Sequence, residues 1–462
     1  MFVGREKELE ILNVELNKRS SSILIFGKRK IGKTTLIKKA CLRHNNKPYI
    51  YFECIKDTEE KNVKEIIKVI KSLNLLPDSV ALPEFTFLDL FKYLNSLNKE
   101  LVVVIDEYPY LKEFISSKTI DSTFQNIIDN HISNINLIIS GSHIGMMKDL
   151  LEEKNALFGR FTSKISLKEL SYLEASNFYP NLSNYDKVAF YSVFGGSPYV
   201  NEKLIPTQSL KWNILNLLLN TDSSVYLYTS SLLISDFSNQ VQANRILSTI
   251  GNGKKSYSEL EEILDKNKTG LLSKYLKPLL EMDLIKREAP INKLNDAKKA
   301  KYEINDNLLR FYYTYILPNQ YLFNYKDVDM IYEEEISPSI TTFISLRFED
   351  ICHAFMWRYI NDNKIKGAMN VGRYYYDDPV NKTNGEFDLA ILYKDNKVDL
   401  IEVKYLSGKL KQEAIKKELF QISQINEINI NNVGFISING FEDDLPDISF
   451  RFDGNDIYQL NK

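Results

Sequence analysis

The sequence predicts an α/β protein. It opens on a doubly wound parallel sheet, continues through a helical segment and a small helix-and-hairpin module, and ends on a second α/β domain. Three observations predict this order. Short apolar strands alternate with helical periodicity over residues 1–170. The pattern turns helical from 171 to about 235. Beyond about 345 the order is helix, strand, strand, helix, strand, with carboxylates at the strand ends.

Each element has its own signal. Leu9, Leu12 and Leu16 share one face of a helix over 8–18. Ser22–Phe26, Tyr49–Glu53, Leu101–Ile105, Ile135–Ser140 and Lys164–Leu167 read as strands. Leu101–Ile105 is apolar throughout, as a parallel strand covered on both faces should be. A helix runs from about Lys33 to Arg43. Linkers are expected near 232–240 and 318–340, giving domains at 1–170, 171–235, 240–316 and 345–462.

Composition limits the function classes. The chain has 462 residues, of which 44% are hydrophobic and 26% charged, enough for more than one core. The net charge of −2 argues for no particular partner, so any basic surface is local. Three cysteines without a CxxC pair give neither a disulfide framework nor a zinc signature. The amino terminus lacks an apolar signal core, and no stretch approaches the length of a membrane span, so a cytoplasmic protein is expected.

Gly27-Lys-Arg-Lys-Ile-Gly32-Lys33-Thr34 fits GxxxxGK[ST], between an apolar strand and a helix. In such a P-loop the glycines Gly27 and Gly32 let the backbone wrap phosphates. Backbone N–H groups and the helix amino end, which includes Thr35, supply positive potential. Lys33 would reach the β- and γ-phosphates of ATP, and the Thr34 hydroxyl would ligate Mg²⁺. Asp106 and Glu107 end the apolar third strand, at the sheet edge where ligands bind. Alone, such a pair reads equally as a helix cap. Beside the P-loop, Asp106 reads as the Mg²⁺ carboxylate and Glu107 as the residue that orients the attacking water.

These motifs carry a family likeness. Phe2-Val-Gly-Arg-Glu-Lys-Glu8-Leu, the P-loop, Asp106-Glu-Tyr-Pro-Tyr-Leu111, Ile138-Ile-Ser-Gly-Ser142 and Phe158-Gly-Arg160 together resemble the archaeal-type ATPases, a branch near the AAA+ and STAND NTPases. The resemblance covers roughly residues 1–235. It implies that Phe2 and Val3 lie near adenine and that Ser140 or Ser142 senses the γ-phosphate. It implies that Arg160 acts near the phosphates, in cis or across the interface of a homo-oligomer; a surface salt bridge is the alternative. Gly196-Ser-Pro198 resembles a lid turn whose proline packs near the base, with a purely structural turn as the alternative.

Residues 266–301 hold ten Lys/Arg and four Asp/Glu. A helix at Gly270–Glu281 followed by two strands around a polar tip at 292–300 fits a winged helix, with the helix in a DNA major groove and the wing, including Lys298, Lys299 and Lys301, on phosphate. A docking surface is the rival reading.

Asp388 lies on one strand and Glu402-Val-Lys404 ends the next, with Glu349 on a helix upstream. This arrangement resembles PD-(D/E)xK nuclease domains. Glu402 and Lys404, two apart, share a face. Asp388, Glu402 and Glu349 would hold Mg²⁺, which would activate water against a phosphodiester, with Lys404 positioning it. E-x-K is weak by itself: Glu59-Glu-Lys61 and Glu152-Glu-Lys154 also satisfy it. The hairpin must have an odd-numbered loop, or Asp388 and Glu402 fall on opposite faces. Three functions fit: an ATP-regulated DNA-processing enzyme, a STAND-like switch with an inactive terminal domain, and an ATP-responsive DNA-binding regulator.

Overall fold

The computed structural model describes residues 2–44, 47–77, 86–232, 240–265, 270–378, 383–425 and 428–459. The chain divides into two compact units, Met1–Glu169 and Leu170–Lys462. The linker expected near 232–240 lies almost wholly outside the described residues, as do Lys266 and Lys268 of the basic segment.

The first unit is built on five strands: β1 Ser21–Phe26, β2 Tyr49–Glu53, β3 Leu101–Asp106, β4 Ile135–Gly141 and β5 Ser163–Ser166. They pair in parallel in the order β2-β3-β4-β1-β5. β1, β3 and β4 are buried at every position, because helices cover both faces of the sheet. Helix α1 (Glu6–Leu16) buries Leu9, Leu12 and Leu16 against one face, in a cluster shared with Leu36, Ile37 and Ala40 of helix α2 (Lys33–Arg43). Each such leucine contributes about 1.5–3 kcal/mol. β4 lies between β1 and β3, so the carboxyl ends of those two strands flank Ser140.

The second unit begins with short helices, one of which, Asn184–Phe194, ends at Gly195. Helix α3 (Gln240–Gly251), strand β6 (Lys255–Ser256), helices α4 (Tyr257–Leu264) and α5 (Leu271–Glu281) and strands β7 (Ile285–Glu288) and β8 (Lys301–Ile304) follow. The three strands form a sheet in the order β6-β8-β7. Most of the stretch near 318–340 expected as a linker is taken up by short helical turns, Leu317–Asn324, Val328–Ile331 and Tyr332–Ile336, that bury Leu322, Ile331, Tyr332 and Ile336. Helix α6 (Ile340–Asn361) leads into a second five-stranded sheet: β9 Ala368–Asp378, β10 Thr383–Tyr393, β11 Val398–Lys404, β12 Ile430–Ser437 and β13 Phe450–Phe452. Its order is β13-β12-β11-β10-β9, with the β9-β10-β11 pairs antiparallel and the rest parallel.

The β7–β8 tip does not stand free. The Ile291 N–H donates to the Arg373 carbonyl of β9 at 2.7 Å, and Asn292 exchanges two bonds with the Tyr375 backbone at 2.7 and 3.1 Å. Ile291 enters the core of the second sheet with Phe387, Ala390, Val398 and Leu400. Lys299 Nζ sits 3.6 Å over the Tyr375 ring. Lys299, expected on DNA phosphate, here rests against β9. Lys286, counted in the same basic excess, is tied to three carboxylates inside the unit.

Candidate functional site

The loop after β1 shows why its residues are what they are. A Cβ on Gly27 would come 2.3 Å from the Leu167 carbonyl oxygen, so this glycine is required by the approach of the chain leaving β5. That adds a packing reason to the phosphate reason read from the motif. Gly32 caps α2 with φ 93°, a left-handed conformation natural only to glycine. The Lys33 ammonium is buried and donates to the carbonyls of Gly27 (2.9 Å) and Lys28 (3.1 Å). Thr34 Oγ1 donates to Asp106 Oδ2 at 3.1 Å, bringing the α2 amino end to the end of β3. Thr35 follows in the first turn of α2.

A residue that spacing gave no reason to single out completes this cluster. The Tyr51 hydroxyl, from β2, makes a short hydrogen bond to the same Asp106 oxygen and lies 3.5 Å from Thr34 Oγ1. Burial, and then the Asp106 charge, push its phenol well above the ordinary range. Glu107 sits in a left-handed conformation (φ 50°) that turns the chain sharply after β3. Its carboxylate accepts from the Ser142 N–H (3.0 Å) and Oγ (2.8 Å). Ser140 Oγ is buried without a hydrogen-bond partner. Phe2 packs on the α1–α2 core under Lys39, whose Nζ lies 3.8 Å from the ring centre, and Val3 beside it is half-buried. Pro198 is the first residue of a short helix, Pro198–Asn201, in the second unit.

Arg160 is not near the P-loop of its own chain. Its Nε donates to both Asp129 oxygens at 3.1 Å, and its carbonyl accepts from Ser22 Oγ at the start of β1. The P-loop leaves the other end of that strand, roughly 17 Å away at about 3.3 Å per residue. The in-cis role is thus corrected: the motif order was right for the chain, but the arginine belongs to the opposite sheet edge.

In the second unit the β10–β11 register runs Leu389↔Ile401 to Leu392↔Val398, and the Tyr393 N–H donates to Lys397 O. The loop is therefore the odd one expected, 394–396, and Asp388 falls opposite Glu402 on one face. The register on the β9 side shifts between Phe387 and Ala390, a bulge at Asp388. Burial raises the Asp388 and Glu402 carboxyls. Lys404 Nζ lies 3.1 Å from both Glu402 and Glu418. Burial works against its charge, yet those two carboxylates leave it raised.

Glu349 departs from the expected three-acid shell. Its carboxylate accepts from Arg373 Nη2 at 2.8 Å, and Arg373 also reaches Glu288 (3.5 Å) and Glu386 (3.4 Å). Burial, with the Asp388 and Asp350 charges, pushes Glu349 up to about 9, and the Arg347 charge pulls the other way. Among the described residues, the acids whose oxygens lie within 4.8 Å of one another are Glu288, Glu303 and Asp350, rather than Glu349, Asp388 and Glu402. Lys286 Nζ lies 2.5, 3.1 and 3.0 Å from those three, so an ammonium stands where a metal ion would. The three cysteines are free and buried.

A five-stranded parallel sheet with a GxxxxGK[ST] loop after β1, an interior strand, and an acid ending β3 two places away, defines a P-loop NTPase. Residues 2–204 match the family described as an ATPase domain predominantly from Archaea, and residues 312–417 match one described as archaeal and bacterial proteins of unknown function. The uncharacterized protein MJECL04 of Methanocaldococcus jannaschii is 30% identical over 425 residues, 90% of each chain. The chain belongs to the same family as that protein, and its amino-terminal part is an archaeal-type ATPase domain. The uncharacterized ATP-binding protein MJ0423 of the same organism is 48% identical over 40 residues, 8% of this chain and 68% of its own. Among solved structures, the Walker-type ATPase PABY2304 of Pyrococcus abyssi shares the fold, with a TM-score of 0.50 at 19% identity over 68% of this chain and 96% of that one. Among the described residues no helix is long and apolar enough to cross a membrane.

Proposed function

We propose that the chain is an ATP-hydrolysing switch whose second unit engages DNA and carries a nuclease-like carboxylate site. The observation that supports the ATP reading is the convergence of Thr34, Asp106 and Tyr51 beside the buried Lys33 ammonium. All three converging groups are hard oxygen donors, the set Mg²⁺ takes. Thr34 and Asp106 would hold the ion, which supplies charge neutralisation on the β- and γ-phosphates. Lys33 would exchange its loop carbonyls for phosphate oxygens. Glu107 would orient the attacking water and Ser142 holds that carboxylate in place. Ser140, with an unengaged buried hydroxyl, would sense the γ-phosphate. Phe2 and Val3 would bound the adenine, Pro198 would belong to the lid, and Arg160 would act only on a neighbouring copy's nucleotide. The test is ATP turnover by the purified full chain: Lys33→Ala abolishes it, and turnover surviving that change refutes the assignment.

In the second unit the helix–strand–helix–helix–hairpin order supports a winged helix. Its docked tip moves the proposed DNA contact to the exposed Lys274 and Lys277 on α5 and to Arg287, Lys298 and Lys301. Asp388 opposite Glu402 supports a PD-(D/E)xK-like site, with Lys404 beside it. The Arg373–Glu349 pair favours a second reading, in which this site binds nucleic acid without cutting it. Metal-dependent nicking of plasmid DNA, lost in Asp388→Ala, decides for cleavage; no nicking by the native chain decides for binding alone.

A further inference from the structure

A cavity of about 300 Å³ lies in the second unit between α3, β8 and the start of α6, away from the Asp388–Glu402 face. Its walls carry three cations, Lys254, Arg310 and Arg347, against one carboxylate, Glu303. Arg310 and Arg347 are 7% and 4% exposed. Arg310 is clamped by bonds from Nε and Nη2 to the Ile304 carbonyl, which leaves Nη1 without a hydrogen-bond partner. Arg347 Nε and Nη1 and the Lys254 ammonium are likewise buried without a hydrogen-bond partner, while Glu303 pairs with Lys254 Nζ at 3.5 Å and with Arg310 Nη2 at 3.2 Å. The nearest carboxylate oxygens to these guanidinium Nη1 atoms, on Glu303 and Asp350, stand at 3.6–3.7 Å, in reach of charge attraction but beyond hydrogen-bond length.

A buried donor without a hydrogen bond costs about 1–3 kcal/mol, and here several belong to residues that line one small space. Ile250, Phe343 and Leu346 supply an apolar part of the lining, beside the polar Asn252, Thr314, Ser339 and Thr342. We infer that this cavity is a binding site for a small molecule with an oxyanion head, phosphate or carboxylate, on an apolar body. The head sits on the arginine donors, which present forked N–H groups suited to either oxyanion. The apolar body lies along Phe343 and Leu346. Glu303 limits the head to one that the surrounding cations can outweigh, and it excludes a second acidic group on its side. The site draws on residues from the module that precedes α6 and from α6 itself, so an occupant would bridge the two.

The test uses the full chain carrying Lys33→Ala throughout, so that the phosphate loop takes no part. Equilibrium dialysis is run with phenyl phosphate, with benzoate, and with inorganic phosphate as the head alone. One equivalent of phenyl phosphate or benzoate is expected to bind more tightly than inorganic phosphate. Which of the two binds more tightly identifies the head. Arg347→Met should weaken binding at least tenfold. Thr342→Trp, a change at an exposed position on the cavity rim that leaves the arginines in place, should do the same. Binding of neither aromatic probe at millimolar concentration by folded protein overturns the inference. So does binding that Thr342→Trp leaves unchanged.

Discussion

Replacing Gly27 by alanine tests how tightly the phosphate loop is fastened to the sheet. The added Cβ would lie 2.3 Å from the Leu167 carbonyl oxygen, where carbon and oxygen normally keep about 3.3 Å or more, an overlap of about 1 Å. Leu167 cannot retreat freely, because its own N–H donates to Phe26 O at 2.7 Å. Overpacking of this kind costs about 1–3 kcal/mol, and loosening that hydrogen bond adds about 0.5–1.5 kcal/mol. At roughly 2–4 °C per kcal/mol for a unit of this size, about 3 kcal/mol lowers Tm by roughly 6–12 °C. Differential scanning calorimetry of the full chain reads the shift. Gly159→Ala is the control: its φ is +72° but nothing lies within 4 Å, so it carries only the left-handed strain of about 1–2 kcal/mol. Because Lys33 donates to Gly27 O, G27A should also weaken ATP binding. A G27A protein that melts within 2 °C of the native chain would refute the close β1–β5 approach.

Four further outcomes are expected. Glu107→Gln retains ATP binding, measured by dialysis, while turnover falls roughly 10²–10⁴-fold. Tyr51→Phe removes a hydrogen bond to a charged group and destabilises the first unit by about 1.5–3 kcal/mol in denaturant titration; complete loss of turnover would instead put Tyr51 in the chemistry. Arg373→Met takes the cationic partner from Glu349 and Glu386, while Glu288 keeps Lys286, and costs about 3–5 kcal/mol, part of which Glu349→Gln should restore in the double variant. Ile291→Ala opens the core of the second sheet and costs about 2–5 kcal/mol, although the residue lies outside that sheet in sequence.

The parallel sheet was legible because its strands are short, apolar and separated by helical runs, and Tyr49–Glu53 matches the expected bounds in full. The phosphate loop and the Asp106–Glu107 pair were legible because their chemistry fixes local spacing. The odd β10–β11 loop followed from requiring Asp388 and Glu402 on one face, which left Asp388 opposite either Glu402 or Lys404. What escaped has a common cause: it depends on partners distant in sequence. Tyr51 reaches Asp106 from another strand, and Arg373 reaches Glu349 from β9, a strand that was itself missed because Ala368–Asp378 combines an interior glycine with a run of three tyrosines. The helical turns at 317–336 looked like a linker because none is long enough to show a periodicity. Arg160 carried a motif but no distance.

The pairing of residues 291 and 292 with β9 bears on how the protein can be handled. β9 is the last strand of its sheet, and an outer strand with open backbone groups invites pairing with other chains. Here the chain's own earlier segment occupies part of that margin and lends Ile291 to the interior. A fragment started at 345 would expose the margin and leave a hollow where Ile291 sits, so it should self-associate. A fragment that begins ahead of residue 240 keeps both filled.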